Sequence, residues 1–342
     1  MAIRLLINQL PLNPCVPRQD RLNDANHILC RGCSQALSQL HKCYRYGTPI
    51  LKGSNGRYMG YPKSRLVYCN ALTKNTHMNT DNEKLILRVW QSITEEATVS
   101  TKAERVLAEY LRVTILDHPN LASALSFQLA NKLASTTAPM AMLREIMHNI
   151  FADPDIIGCA AKDIQATVDR DSACELYSSP FLYFKGFLAL QAYRVAHQLW
   201  LQGSHSLALL IQYRVSVKFA VDIHPAAKIG CGVMIDHATG LVIGETAVVE
   251  DCVSIMQSVT LGGTGKVSGD RHPKIRKGVL LGPGAKILGN IEIGEGAMVA
   301  ASSVVLKSVA AHTVVAGVPS KVVGKVDIDE PSKAMNHYFR CS

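Results

Sequence analysis

Aliphatic residues recur at every sixth position through the C-terminal part of this chain, and that rhythm limits the fold more than any other feature. Ile223, Ile229, Ile235, Leu241, Ala247, Val253 and Val259 share one register; after an interruption, Ile275, Leu281, Ile287, Ile293, Val299 and Val305 share another. An α-helix repeats its apolar face every 3.6 residues and a half-buried strand every 2. A period of six, with small or polar residues between, fits short strands joined by turns and wound three to a triangular coil, the aliphatic side chains stacking inside a parallel β-helix. Val259 and Ile275 are sixteen positions apart where twelve would keep the rhythm, so segment 261–274, LGGTGKVSGDRHPK, is expected to leave the prism as a loop. Its GGTGK does not make a phosphate-binding loop. Thr260 stands where that motif needs glycine, and Val267 follows Lys266 in place of Ser or Thr.

Ahead of the repeats the pattern is helical, from Asp81 to about Phe219. Leu121, Leu125, Leu129 and Leu133 follow Asn120, a good cap; Asp153-Pro154 opens a helix carrying Ile157, Ala160, Ile164 and Val168; and a stripe from Phe184 through Leu199 stops at Gly203. The expected class is therefore α+β: an α-helical domain over 78–219, a parallel β-helix of hexapeptide repeats over 220–325, and a C-terminal tail over 326–342. Residues 1–77 show no sustained period and argue against a packed domain. They read as a targeting segment, a disordered arm, or sequence translated from an upstream start; the last is favoured, because a charge-balanced helical pattern begins directly after Met78.

Charge sharpens that division. The formal net charge is +9, but residues 1–77 hold eleven Lys and Arg against Asp20 and Asp24, which leaves 25 of each sign beyond. A nucleic-acid binder would concentrate its positive charge on the folded part, so that class is set aside. No run of eighteen apolar residues occurs, and a soluble, cytoplasmic protein is expected. Five of ten cysteines fall in the first segment and the rest (Cys159, Cys174, Cys231, Cys252, Cys341) show no paired spacing, which argues against a disulfide framework. Cys30 and Cys33 lack the second ligand pair that a zinc site requires, so no metal is expected.

Several motifs carry a more specific likeness. VDIHPAAKIG at 221–230, MIDHATG at 234–240, IGETAVVE at 243–250, SVTLGGTG at 258–265, GDRHPKI at 269–275 and AKILGNIEIG at 285–294 resemble bacterial serine O-acetyltransferase. In the helical part ALSFQLANKLAS, KDIQAT, RDSA and YFKGFLALQAYR do so too, and the resemblance covers roughly 78–326. It implies a left-handed coil, an exception to the usual right-handed crossover, and transfer of acetyl from acetyl-CoA to L-serine with L-cysteine as feedback inhibitor.

Acetylating a hydroxyl needs a base, a group that orients it, and donors for the oxyanion. The resemblance implies His237 as base and Asp222 as its partner; their fifteen-residue separation is slightly less than a coil of eighteen and suits adjacent coils about 4.8 Å apart. It implies His272 beside the reacting centre, Arg271 on the serine carboxylate, and Asp171 and Asp236 on the amino group. Acetyl-CoA is expected in a groove between neighbouring β-helices, lined by Gly263, Ala285 and Ala301 with Lys321 and Lys325 near the nucleotide phosphates, so a trimer or a dimer of trimers is expected. In the family a terminal isoleucine enters O-acetylserine sulfhydrylase, whereas this chain ends NHYFRCS, which puts that complex in doubt. His224 reads as a structural hydrogen-bonder, and Cys231 and Cys252 as filler. Three rivals weigh less. A sugar or antibiotic acetyltransferase has no use for the helical domain, a zinc carbonic anhydrase needs a histidine spacing that is missing, and a silent scaffold has no use for Asp222 and His237.

Overall fold

The computed structural model describes residues 80–265, 268–328 and 330–335, so the expectations placed on 1–77 and on the end of the tail lie outside the described residues. Among the described residues six long helices lead: α1 (Thr80–Ala103), α2 (Leu121–Leu133), α3 (Met140–Phe151), α4 (Pro154–Arg170), α5 (Lys185–Leu201) and α6 (His205–Phe219), with helical segments of three to five residues between them. The caps read from sequence form as chemistry requires. Asn120 Oδ1 accepts the Ser123 N–H at 2.9 Å and Asp153 Oδ1 that of Asp155 at 2.9 Å, each satisfying a first-turn amide that has no partner inside its helix.

After α6 the chain turns through Ala220 in a left-handed conformation (φ 56°) and, among the described residues, enters fifteen short strands on three sheets. The first sheet stacks β1 (Val221–Ile223), β4 (Leu241–Ile243), β7 (Thr260–Gly262), β10 (Lys286–Leu288) and β13 (Val304–Val305). The second holds β2 (Lys228–Ile229), β5 (Val248–Val249), β8 (Lys274–Ile275) and β11 (Glu292–Ile293). The third runs from β3 (Met234–Ile235) through β6 (Ser254–Ile255), β9 (Leu280–Leu281), β12 (Met298–Val299) and β14 (Thr313–Gly317) to β15 (Ser320–Lys325). Every neighbouring pair is parallel except the terminal β14–β15 hairpin, so consecutive strands visit the three faces in turn and each circuit lands on the one below. The result is a parallel β-solenoid of about five turns.

The strand register corrects the rhythm read from sequence. Ile223 lies opposite Ile243, twenty residues on, while Ile243 lies opposite Leu261, eighteen on. The first circuit therefore holds two extra residues, placed between β3 and β4 at 236–240, and Leu241, Ala247, Val253 and Val259 are equivalent to Val221 rather than to Ile223. Both positions in each repeat point inward, which is why the slip left an unbroken aliphatic series. The second departure is where it was expected, but longer: Val249 lies opposite Ile275, twenty-six on, so the loop adds eight residues to a coil of eighteen.

One apolar core runs through both parts, from Val89 and Ile93 in α1 to Val305 and Val315 in the last circuit. α4 and α5 pack on β3, and α6 packs on β1. At that junction Asp163 of α4, nearly fully buried, accepts from Arg194 Nη2 at 2.6 Å and Nε at 3.0 Å, from Gln191 Nε2 at 2.9 Å, and from the Val233 N–H at 3.0 Å. Arg194 also donates to the Gly230 carbonyl at 2.7 Å, so a single ion pair ties two helices to the first circuit. A buried carboxylate is tolerated there because four donors replace the water it lost. Cys159 of α4 and Cys231 are joined by a disulfide at the same junction, which overturns the reading of Cys231 as filler. The two are 72 residues apart, so spacing gave no hint of the pairing.

Candidate active site

The two-residue bulge carries the expected base. Extra residues cannot follow the coil, so 236–240 arches outward: His237 and Ala238 take left-handed conformations (φ 55° and 58°) and Gly240 follows at φ 76°. A non-glycine residue there is uncommon, and two in a row mark a corner that its surroundings hold in place. The holding contacts are visible. Gly240 N–H donates to the Ala220 carbonyl at 2.8 Å, Ser258 N–H to that of Thr239 at 2.8 Å, and the Lys185 ammonium to the Thr239 hydroxyl. Gly186, at the start of α5, lies so close to β3 that a Cβ would stand 2.0 Å from the Ile235 carbonyl oxygen, so only glycine lets the helix brace this corner.

The His237 side chain is 70% exposed, open to solvent and to any ligand at that edge. Its Nε2 lies 3.6 Å from Asp236 Oδ2. Asp222, the partner expected from the resemblance, is instead engaged by Gln212 of α6, whose Nε2 donates to Oδ1 at 2.7 Å. Asp222 stacks on Val242, beyond the bulge, because the first circuit has twenty residues and not eighteen. In this chain alone the carboxylate beside His237 is that of Asp236. Asp171 caps α4 and accepts the Ala173 N–H at 2.9 Å; its neighbour Arg170 reaches Ser254 Oγ on β6, and β6 pairs with β3, the strand that leads into Asp236.

Arg271 and His272 sit on a different edge of the prism, at the end of the long loop. Arg271 Nη2 donates to Glu245 Oε2 at 2.6 Å and Nη1 to the Gly269 carbonyl at 3.1 Å; the first of these holds the Glu245 carboxyl below its usual range. His272 is buried, its ring lying where a Cβ on Gly244 would fall, 2.1 Å from Nε2. Its Nδ1 receives the Thr246 N–H at 3.2 Å and lies 2.8 Å from the Thr246 hydroxyl. Loss of solvent first, and Arg271 next, push its pKa down, so the ring is neutral at pH 7. His224, on the same edge, accepts the Ala226 N–H on Nδ1 at 3.1 Å and stands edge-on to Trp200, the structural role read for it from sequence.

The residues expected to meet acetyl-CoA divide between the two edges. Ala301 is exposed on the edge that carries His237, where corner amides stack as Gly284 N–H on Gln257 and Ser302 N–H on Pro283. Ala285 belongs to that edge too, but its side chain is fully buried inside the prism, so it offers a ligand backbone and not a lining methyl group. Gly263 belongs with the loop, a Cβ there falling 3.4 Å from Arg271 Cγ. Lys321 lies on β15, opposite Ala316. The first sheet, three residues wide at β4, separates the two edges; at about 3.3 Å per residue that is on the order of 15 Å between residues 240 and 245. Sequence reasoning passed over Gln212, Glu245 and Thr246, of which the last two lie inside the quoted IGETAVVE, at a coil corner where polar side chains face outward.

Residues 89–192 match the family model described as serine acetyltransferase, N-terminal, and residues 272–307 match that of bacterial transferase hexapeptide (six repeats). The serine acetyltransferase of Salmonella typhimurium is 58% identical over 252 residues, which cover 73% of this chain and 92% of that one. The chain belongs to the serine acetyltransferase family. Among solved members, that of Vibrio cholerae matches with a TM-score of 0.73 at 56% identity, covering 74% of this chain and 98% of that one. A serine acetyltransferase in complex with cysteine matches at 0.73 and 55% identity, covering 74% and 99%. The family has also been solved with coenzyme A, in the Brucella abortus protein (0.69, 50% identity, 70% and 96% covered), and with serine, in the soybean protein (0.69, 52% identity, 70% and 99% covered). Among the described residues no group of three or more His, Cys, Asp or Glu is placed to hold a metal ion, and no helix is long and apolar enough to cross a membrane.

Proposed function

We propose that this protein transfers acetyl from acetyl-CoA to the hydroxyl of L-serine, giving O-acetyl-L-serine and CoA, with His237 as the base and L-cysteine as a competitor for the serine pocket. The observation that carries the assignment is the exposed imidazole on a bulged, braced corner beside Asp236. An unprotonated His237 nitrogen takes the serine hydroxyl proton as the oxygen attacks the thioester carbonyl. The tetrahedral intermediate collapses with the carbon–sulfur bond breaking, and the imidazolium returns its proton to the departing sulfur, so no acyl-enzyme forms. Asp222, oriented by Gln212, is the carboxylate that steadies the ring when the side chain turns in from solvent. Asp171 and Asp236 receive the serine ammonium group. Arg271 takes the carboxylate by exchanging Glu245 for substrate, a trade between two carboxylates that costs little because both bind the same guanidinium fork.

Since His237 and the Arg271–His272 pair stand on different edges, this reading needs two copies of the chain, the first edge of one facing the second edge of the next. A homotrimer, or a dimer of trimers, closes that arrangement, and acetyl-CoA then lies between Ala285, Ala301 and Lys321 of one copy and Gly263 of its neighbour. A soluble, cytoplasmic enzyme is part of the same proposal. The test is thiol release from acetyl-CoA with serine, homoserine, a galactoside and chloramphenicol as acceptors, with and without cysteine. Serine alone should support rapid release, cysteine should suppress it, and His237→Ala should cost about 10²- to 10⁴-fold in kcat with the oligomer intact. Retained activity in that variant removes the base assignment.

A further inference from the structure

Thr246 is the point at which the long loop is fastened to the coil before it. Its hydroxyl oxygen accepts the Arg271 N–H at 3.0 Å and the His272 N–H at 3.2 Å, and its carbonyl accepts from Lys274 Nζ at 3.0 Å. With both acceptor positions of the hydroxyl engaged by backbone amides, its one proton is left to point at His272 Nδ1, 2.8 Å away. The Thr246 N–H aims at the same nitrogen from 3.2 Å. Two donors on one ring nitrogen leave no room for a proton there.

We propose that Thr246 is a positioning residue which holds His272 as the neutral tautomer protonated on Nε2, making His272 a hydrogen-bond donor to a substrate oxygen and not a second base. The opposite face of the ring is set by Gly244, against which Nε2 and Cδ2 are packed. The charged and titratable groups around the ring and its threonine are Arg271, Lys274 and Asp270 on its own segment, the last ion-paired with Lys274 and facing the Thr246 hydroxyl, Glu245 on the corner before, and His224 one circuit away. Burial disfavours an imidazolium most, and Arg271 and Lys274 act in the same direction against the Glu245 carboxylate, which favours it. The oxygen that His272 serves is the carboxylate of the amino-acid substrate, because the same threonine hydroxyl fixes the backbone of Arg271 beside it and so aligns both donors on one anion.

This inference rests on the acetyltransferase reading above, and the two fail separately: that reading falls with an active His237→Ala, this one with the following comparison. In the full-length oligomer Thr246→Val removes the hydroxyl at nearly constant volume and Thr246→Ser restores it. The expected result for Thr246→Val is a KM for serine raised roughly ten-fold, with the KM for acetyl-CoA unchanged and Thr246→Ser close to wild type. Nitrogen-15 NMR of the His272 ring should show a single tautomer with Nδ1 unprotonated in the wild type and in Thr246→Ser, and a mixture in Thr246→Val. A wild-type ring protonated on Nδ1, or charged at pH 7, overturns the proposal; so does a Thr246→Val variant with wild-type KM for serine.

Discussion

Replacing Asp163 by Asn tests the claim that one buried ion pair joins the helices to the solenoid. Asp163 and Arg194 have side chains 1% and 8% exposed, and the carboxylate serves four donor atoms from three residues, Gln191 and Arg194 of α5 and Val233 of the first circuit. Asparagine keeps the shape but has one acceptor oxygen: at the Oδ2 place it keeps Arg194 and Gln191 but turns its NH2 on the Val233 N–H, and at the Oδ1 place it loses the other three, so at least one donor is orphaned and the guanidinium is left without a counter-charge. Breaking a buried pair on one side typically costs about 3–5 kcal/mol. For a folded part of this size each kcal/mol lowers Tm by roughly 2–4 °C, so a fall of about 10 °C is expected in calorimetry. Asp163→Leu combined with Arg194→Met should recover much of that loss, because removing both charges leaves no unpaired ion. A Tm within about 2 °C of wild type in Asp163→Asn would refute the reasoning, since it would mean that the guanidinium reaches water or that the carboxylate was not serving it.

Glu245→Gln should lower the KM for serine, by no more than about five-fold given the exposure of the Arg271–Glu245 pair, because the guanidinium no longer has a competing carboxylate; an unchanged or higher KM would show that Glu245 orients Arg271 and does not compete for it. The same pair gives a signed pH dependence. The Glu245 carboxyl is held below its ordinary value by the Arg271 hydrogen bond, so the contribution is fully present above about pH 4.3 and is lost as pH falls through the lower folded-state value, which carbon-13 titration of the Glu245 carboxyl will show as a midpoint below that of free glutamate. Cys159→Ser removes a cross-link closing a span of 72 residues and should lower stability by about 4 kcal/mol on the chain-entropy account; recovery of both cysteines as alkylated thiols from unreduced protein would contradict the linkage.

Much of this molecule was legible before any coordinates. The helix starts at Asn120 and Asp153 were readable because a cap is a local matter of one side chain and the next two or three amides. The solenoid was readable because every circuit repeats one demand, an aliphatic side chain at the centre of a narrow prism. The slip at 236–240 escaped for a related reason: each repeat buries two positions two residues apart, so a two-residue insertion moves the series from one to the other without breaking it. A break in the spacing of the smaller inward residues, Val221, Ala227, Val233 and then Leu241, was the available signal.

The sequence alone determined what kinds of element form and that the segment 261–274 leaves the coil, since both follow from local propensity and from the burial pattern of consecutive residues. Through its motifs it also pointed to His237 and His272, the side chains to which the proposal above gives acyl-transfer roles. Which carboxylate stands beside His237, that Gln212 engages Asp222, that Cys231 meets Cys159, and that Arg271 and His272 occupy a separate edge were decided only by the tertiary structure. The physical reason is distance along the chain: these contacts link residues ten to seventy-two positions apart or sit at offsets fixed by the coil register, and a bulge of two residues is enough to change who faces whom.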